Sequence, residues 1–107
     1  METQDTTHPS KGSLTLADCQ RLMRDTYFEK DSKRGVDATF MYFVSEVGEL
    51  AEALRENDNL EKEFADCLAW LVSVANLKGI DLDNVMKKHY LKCPNCGEMP
   101  CCCVSKP

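Results

Sequence analysis

Two acidic couples stand on consecutive helical stretches of this chain: Glu46-Val-Gly-Glu49, then Glu63-Phe-Ala-Asp66. A spacing of three puts both carboxylates of a couple on one side of an α-helix, a turn apart. Two such helices folded back on each other would aim four carboxylates at one point. Converging anions repel, so the arrangement calls for a cation. Oxygen-only ligands select a hard divalent ion, Mg²⁺ or Mn²⁺, and such ions serve phosphate chemistry. One couple alone is ordinary on a solvated face, and Glu52, Glu56 and Glu61 read as that background. The second couple carries the weight, because Asp66 lies in the most apolar stretch of the chain, where an unpaired charge is costly. Neither couple contains histidine, which disfavours a di-iron carboxylate site, and no EF-hand calcium loop is present.

A second constellation closes the sequence. Five of the seven cysteines fall between Cys93 and Cys103. Cys93-Pro-Asn-Cys96-Gly reads as half of a zinc knuckle, two thiolates on a tight turn with Gly97 supplying the backbone freedom. Cys101 and Cys103 are expected to complete a Cys₄ zinc site, with Cys102 spare because adjacent cysteines strain when both ligate one ion. A closed site of this kind is structural rather than catalytic. The competing reading is a flexible tail of reduced thiols. Cys19 and Cys67 read as small buried hydrophobes inside helices.

The elements that must position these groups are all helical. Thr15 is an N-cap for a first helix carrying Leu16, Cys19, Leu22, Met23 and Tyr27, which fails near Lys30–Gly35. A second helix begins around Asp37 or Ala38, with an apolar stripe of Phe40, Phe43, Val47, Leu50 and Leu54, and ends near residues 56–59. Gly48 inside it costs about 1 kcal/mol relative to alanine, tolerated or placed for close approach of another helix. A third helix over residues 60–78 is apolar nearly all round from Phe64 to Leu77, which predicts burial on most sides. Gly79 fits the residue after its C-cap, and Asp81 or Asp83 starts a short fourth helix running to Tyr90. The fold class expected is all-α: an antiparallel helical hairpin with two flanking helices, completed as a bundle by oligomerisation. The domains expected are a disordered tail over 1–13, a helical catalytic domain over 14–91 and a cysteine-rich zinc-binding tail over 92–107.

Bulk composition narrows the function. With 107 residues, 43% apolar and 29% charged, the chain is one small globular domain. A net charge of −5 argues against a nucleic-acid polymer as partner, and an anionic substrate would need metal ions to reverse the local field. No secretory signal or membrane-spanning run is seen, and the unpaired thiols suit a reducing, cytoplasmic setting.

The stretch Phe40–Leu54 (FMYFVSEVGELAEAL), followed by Leu60–Asp66 (LEKEFAD) and Ile80–Asp83 (IDLD), resembles the MazG-type all-α nucleoside triphosphate pyrophosphohydrolases. Their signature is E-x-x-E followed by E-x-x-D, and the likeness runs from about Leu14 to Tyr90. The resemblance implies Mg²⁺-dependent cleavage of a nucleoside triphosphate to the monophosphate and pyrophosphate. It implies Glu46, Glu49, Glu63 and Asp66 as magnesium ligands, with Glu46 also orienting or deprotonating the attacking water. Many relatives carry a second glutamate just before that position; Ser45 stands here, which leaves the general base open. The resemblance further implies Trp70 against the nucleotide, where a core role is equally in keeping with its helix. It implies Lys88 on phosphate, against simple complementing of a helix C-terminus. Lys30, Lys33 and Arg34 could also reach phosphates, but they read first as a solvated charge run. A homodimer or homotetramer is expected. Alternatives are a phosphoribosyl-ATP pyrophosphatase-like enzyme and a non-enzymatic zinc-tailed interaction module.

Overall fold

Local capping chemistry divides the chain into four helices. The computed structural model describes residues 12–105, so the expectation for the N-terminal tail falls almost entirely outside the described residues. Helix α1 spans Leu16–Arg34, α2 Val36–Glu56, α3 Leu60–Leu77 and α4 Leu82–Tyr90. No strand occurs among the described residues. The fold is all-α, as its periodicity predicts, and no helix is long and apolar enough to cross a membrane.

Thr15 caps α1 in a reciprocal capping box. Its hydroxyl accepts from the Asp18 amide at 3.0 Å, and the Asp18 carboxylate accepts from the Thr15 amide at 2.9 Å. Those bonds hold the Asp18 carboxyl below its ordinary pKa. Gly35 ends α1 and starts α2 in one step, at φ +91°, a conformation that a side chain would strain. Asn57 and Asn59 turn α2 into α3 through two left-handed residues (φ +53° and +60°), which asparagine tolerates well. The turn is short, so α2 and α3 form an antiparallel hairpin and make the most extensive helix pair.

A buried amide network joins α1 to the far end of the hairpin. Gln20 Nε2 donates to Asn76 Oδ1 at 3.0 Å and to the Ile80 carbonyl at 2.8 Å, while Gln20 Oε1 accepts from the Leu82 amide at 2.8 Å. Asn76 Nδ2 returns a bond to the Gln20 carbonyl at 3.0 Å. Every polar atom of the Gln20 side chain is therefore satisfied, and it fixes the α3–α4 turn against α1. Asp81 then caps α4 by accepting from the Asn84 amide.

The apolar side chains are distributed differently from the expected pattern. The inward seam of α2 is Thr39, Phe43, Glu46, Leu50 and Ala53, recurring at i, i+4, i+7, i+11 and i+14. Phe40, Val44, Val47 and Leu54 form a neighbouring stripe that is exposed in the chain. The single stripe read from sequence thus splits in two, because its members span more of the helix circumference than one partner covers. Helix α3 is likewise not buried on most sides. Val72, Ser73, Ala75 and Asn76 are buried, but Phe64, Leu68 and Leu71, at i, i+4 and i+7, stand in the open. Among the described residues α3 packs chiefly on α2 and α1, which leaves this third side of it exposed. Gly48 has no atom within 4 Å of where a side chain would begin, so no helix of this chain approaches it. The radius of gyration is 16.5 Å, against about 13 Å for a compact domain of this length.

Candidate active site

The hairpin brings three of the four expected carboxylates together. Glu46 from α2 and Glu63 and Asp66 from α3 each offer an oxygen within 4.8 Å of the other two. The inward seam of α2 carries Glu46 toward α3, and the Cys67 thiol donates to the Glu46 carbonyl at 3.2 Å, tying the two helices at this level. Glu49 is exposed and outside the converging group, although its charge still bears on Glu46. Three residues of helix rotate a side chain to within about 60° of the starting direction, not back onto it, so only one member of the first couple faces α3.

Electrostatics at the three carboxylates are unfavourable without a counter-ion. Burial first, then the charges of Asp66, Glu49 and Glu63, push the Glu46 carboxyl above its ordinary pKa, with Lys62 opposing. Burial and the same carboxylates push up the Cys67 thiol. Lys62 Nζ sits 2.8 Å from Asp66 Oδ2 and is the nearest positive charge, from an exposed position one turn away. Glu63 is only 9% exposed, and its Oε1 is buried without any hydrogen-bond partner. An orphaned carboxylate oxygen aimed into a group of three anions fits a hard divalent cation: the donors are all oxygen, and the missing partner is positive.

A pocket of about 310 Å³ adjoins this group, with Asp66 in its wall. Lys30, Arg34, Tyr27, Trp70 and Ser73 line the rest. Trp70 is half-buried in the pocket wall. Its ring stacks on Tyr42 at 5.0 Å between centroids and 16° between planes, and the Arg34 guanidinium lies over both rings at 5.1 and 5.5 Å. Arg34 also donates to Asp31 Oδ1 at 2.7 Å and to Thr39 Oγ1 at 3.3 Å. Asp31, 4% exposed, thereby sets the guanidinium plane against the aromatics. The solvated charge run expected at Lys30, Lys33 and Arg34 needs correcting for Arg34, whereas Lys30 is exposed in the pocket wall. An acidic residue three positions before an arginine at a helix end was the available signal, but only the tight α1–α2 turn aims it at Tyr42 and Trp70. Lys88 is exposed on α4 and lines a separate cleft beside Cys93 and Cys96. Helix α4 packs on α1, so within one chain Lys88 is not in the acidic pocket.

The cysteine segment forms a second cluster. Cys93, Cys96, Cys101 and Cys103 place their sulfurs within 4.8 Å of one another, and Cys102 is exposed and outside that group of four. The Gly97 amide donates to the Cys93 carbonyl at 2.9 Å, closing the first turn with Gly97 at φ +74°. Backbone amides of Cys102 and Glu98 hold the Cys96 thiol down to about 6, whereas neighbouring sulfurs push Cys103 up to about 11.

No curated protein matches the chain. The family model described as the MazG nucleotide pyrophosphohydrolase domain matches residues 34–96, which takes in α2, α3 and α4, both acidic couples, and Cys93 and Cys96. That span is more than half of the chain, and the protein belongs to the MazG nucleotide pyrophosphohydrolase family.

Proposed function

We propose that this protein is an Mg²⁺-dependent hydrolase of nucleoside triphosphates, releasing the monophosphate and pyrophosphate. The observation that carries the reading is the unpartnered Glu63 Oε1 in the group of Glu46, Glu63 and Asp66, whose Asp66 also lines a pocket with Lys30, Arg34 and Trp70 in its wall. Glu46, Glu63 and Asp66 would hold the metal, with Glu49 alongside. Bound there, the ion neutralises the triphosphate, polarises the scissile anhydride and lowers the pKa of an attacking water.

The chain's own residues supply the rest. Glu46, whose surroundings raise its affinity for a proton, is the carboxylate placed to accept one from water. Ser45 has no carboxylate to share that task. Lys62 donates to Asp66 Oδ2 and so orients that carboxylate, and its exposed side chain is free to swing aside. Lys30 and Arg34 meet the polyphosphate of a substrate that the net charge of −5 would otherwise repel. Trp70, backed by Tyr42, offers its face to the base, since every base has a π-face to stack. We also read the exposed apolar stripes of α2 and α3 as the contact with a second copy of the chain, giving a homodimer or homotetramer. Light scattering at micromolar concentration tests this, and a monomer rejects it.

The decisive assay measures release from a panel of nucleoside triphosphates with and without Mg²⁺, separating mono- from diphosphate products. Monophosphate and pyrophosphate, formed only with the divalent ion, support the reading. Diphosphate and orthophosphate, or no turnover at all, reject it.

A further inference from the structure

We propose that Cys93, Cys96, Cys101 and Cys103 bind one zinc ion, and that this metal, rather than an apolar core, folds the segment after α4. Two of the sulfur pairs already have tetrahedral spacing. A Zn–S bond of about 2.3 Å in a regular tetrahedron puts neighbouring sulfurs about 3.8 Å apart. Cys93 Sγ lies 3.8 Å from Cys103 Sγ, and Cys96 Sγ lies 3.9 Å from Cys101 Sγ. Those separations are far too long for disulfides, for which sulfurs stand about 2 Å apart, and closer than four unrelated side chains need come. The backbone supports ligands rather than free thiols. The Cys103 amide donates to Cys101 Sγ at 3.1 Å. Amide-to-sulfur bonds orient thiolates and stabilise their charge, as the outer shell of a metal site does.

Little else orders the segment. Leu91, Met99 and Val104 are 69%, 75% and 107% exposed, so its larger apolar side chains stay in solvent. Without a metal, closing the loop from Cys93 to Cys103 would gain no buried surface to offset its entropy. Four soft thiolates and no open position select zinc in a structural role, distinct from the oxygen-ligated ion at the acidic site.

The test uses the full chain, prepared in reductant without chelator, with metals measured by mass spectrometry. The wild type should carry about one zinc per chain, Cys102→Ser should keep it, and Cys96→Ser should lose most of it. Cobalt exchanged into the wild type should show thiolate charge-transfer bands and tetrahedral d–d absorption, a readout independent of any variant's folding. A strong chelator should open residues 91–105 to proteolysis while the helical circular dichroism persists. Iron in place of zinc, a metal-free wild type, or equal zinc loss from Cys102→Ser and Cys96→Ser would overturn the proposal.

Discussion

Replacing Glu46 by glutamine should make the metal-free protein more stable while removing its response to magnesium. The carboxylates of Glu46, Glu63 and Asp66 lie within 4.8 Å of one another, so each ionised pair costs at least about 0.9 kcal/mol at water's dielectric and about 3.5 kcal/mol at an effective value of 20. Glu46 takes part in two such pairs. Glu46 and Asp66 are partly open to solvent and Lys62 already offsets Asp66, which favours the lower figure. Glu46→Gln should therefore gain about 1–2 kcal/mol, or about 5–15 °C in Tm for a domain of this size. The sign follows from the raised pKa of Glu46: its protonated form costs the fold nothing, and stability falls as pH rises through the folded-state value. The gain should thus be largest at about pH 8 and vanish in acid. In the wild type, Mg²⁺ at a hundred times its dissociation constant should add about 2.7 kcal/mol, and this increment should largely disappear in the variant along with turnover. Thermal melts of both proteins, with EDTA and with Mg²⁺, read all four corners. A variant that melts lower than wild type in EDTA, yet still gains stability from magnesium, would refute the electrostatic reasoning.

Three further outcomes are expected. Gln20→Leu keeps the bulk but strands the Ile80 carbonyl and the Leu82 amide, and should cost about 2–4 kcal/mol by urea unfolding. A loss below about 0.5 kcal/mol would show that water replaces those bonds. Trp70→Leu removes the stacking face beside the acidic group while retaining apolar bulk; KM for the triphosphate should rise about tenfold with kcat nearly unchanged. A fall in kcat at constant KM would contradict that role. Gly48→Ala meets no atom within 4 Å and should stabilise α2 by about 0.5–1 kcal/mol with the oligomeric state unchanged, as melts and light scattering would report.

Helix number, type and ends are local properties, and they were legible from residue order. Thr15, Gly35, the asparagines at 57 and 59, and Asp81 each act through their own backbone or a neighbour three residues away. The Cys-x-x-Cys turn was legible for the same reason, and the strain of adjacent cysteines singled out Cys102 before any coordinates. That carboxylates of the two couples would converge was legible as well, because charge and helical spacing are both written in sequence. Which carboxylates actually meet was not. That depends on the rotation of α2 against α3, which turns Glu46 inward and leaves Glu49 at the margin. The role of Arg34 was hidden for a similar reason. Its ring partners, Tyr42 and Trp70, come from two other helices, and only the reversal at Gly35 brings α1's last turn to them. Burial also awaited the tertiary structure: an apolar stripe records what a helix can cover, whereas the packing of α1 on α3 decides what is covered. Phe64 and Leu68 read as core by composition, yet they are exposed because the described helices supply no further wall over them.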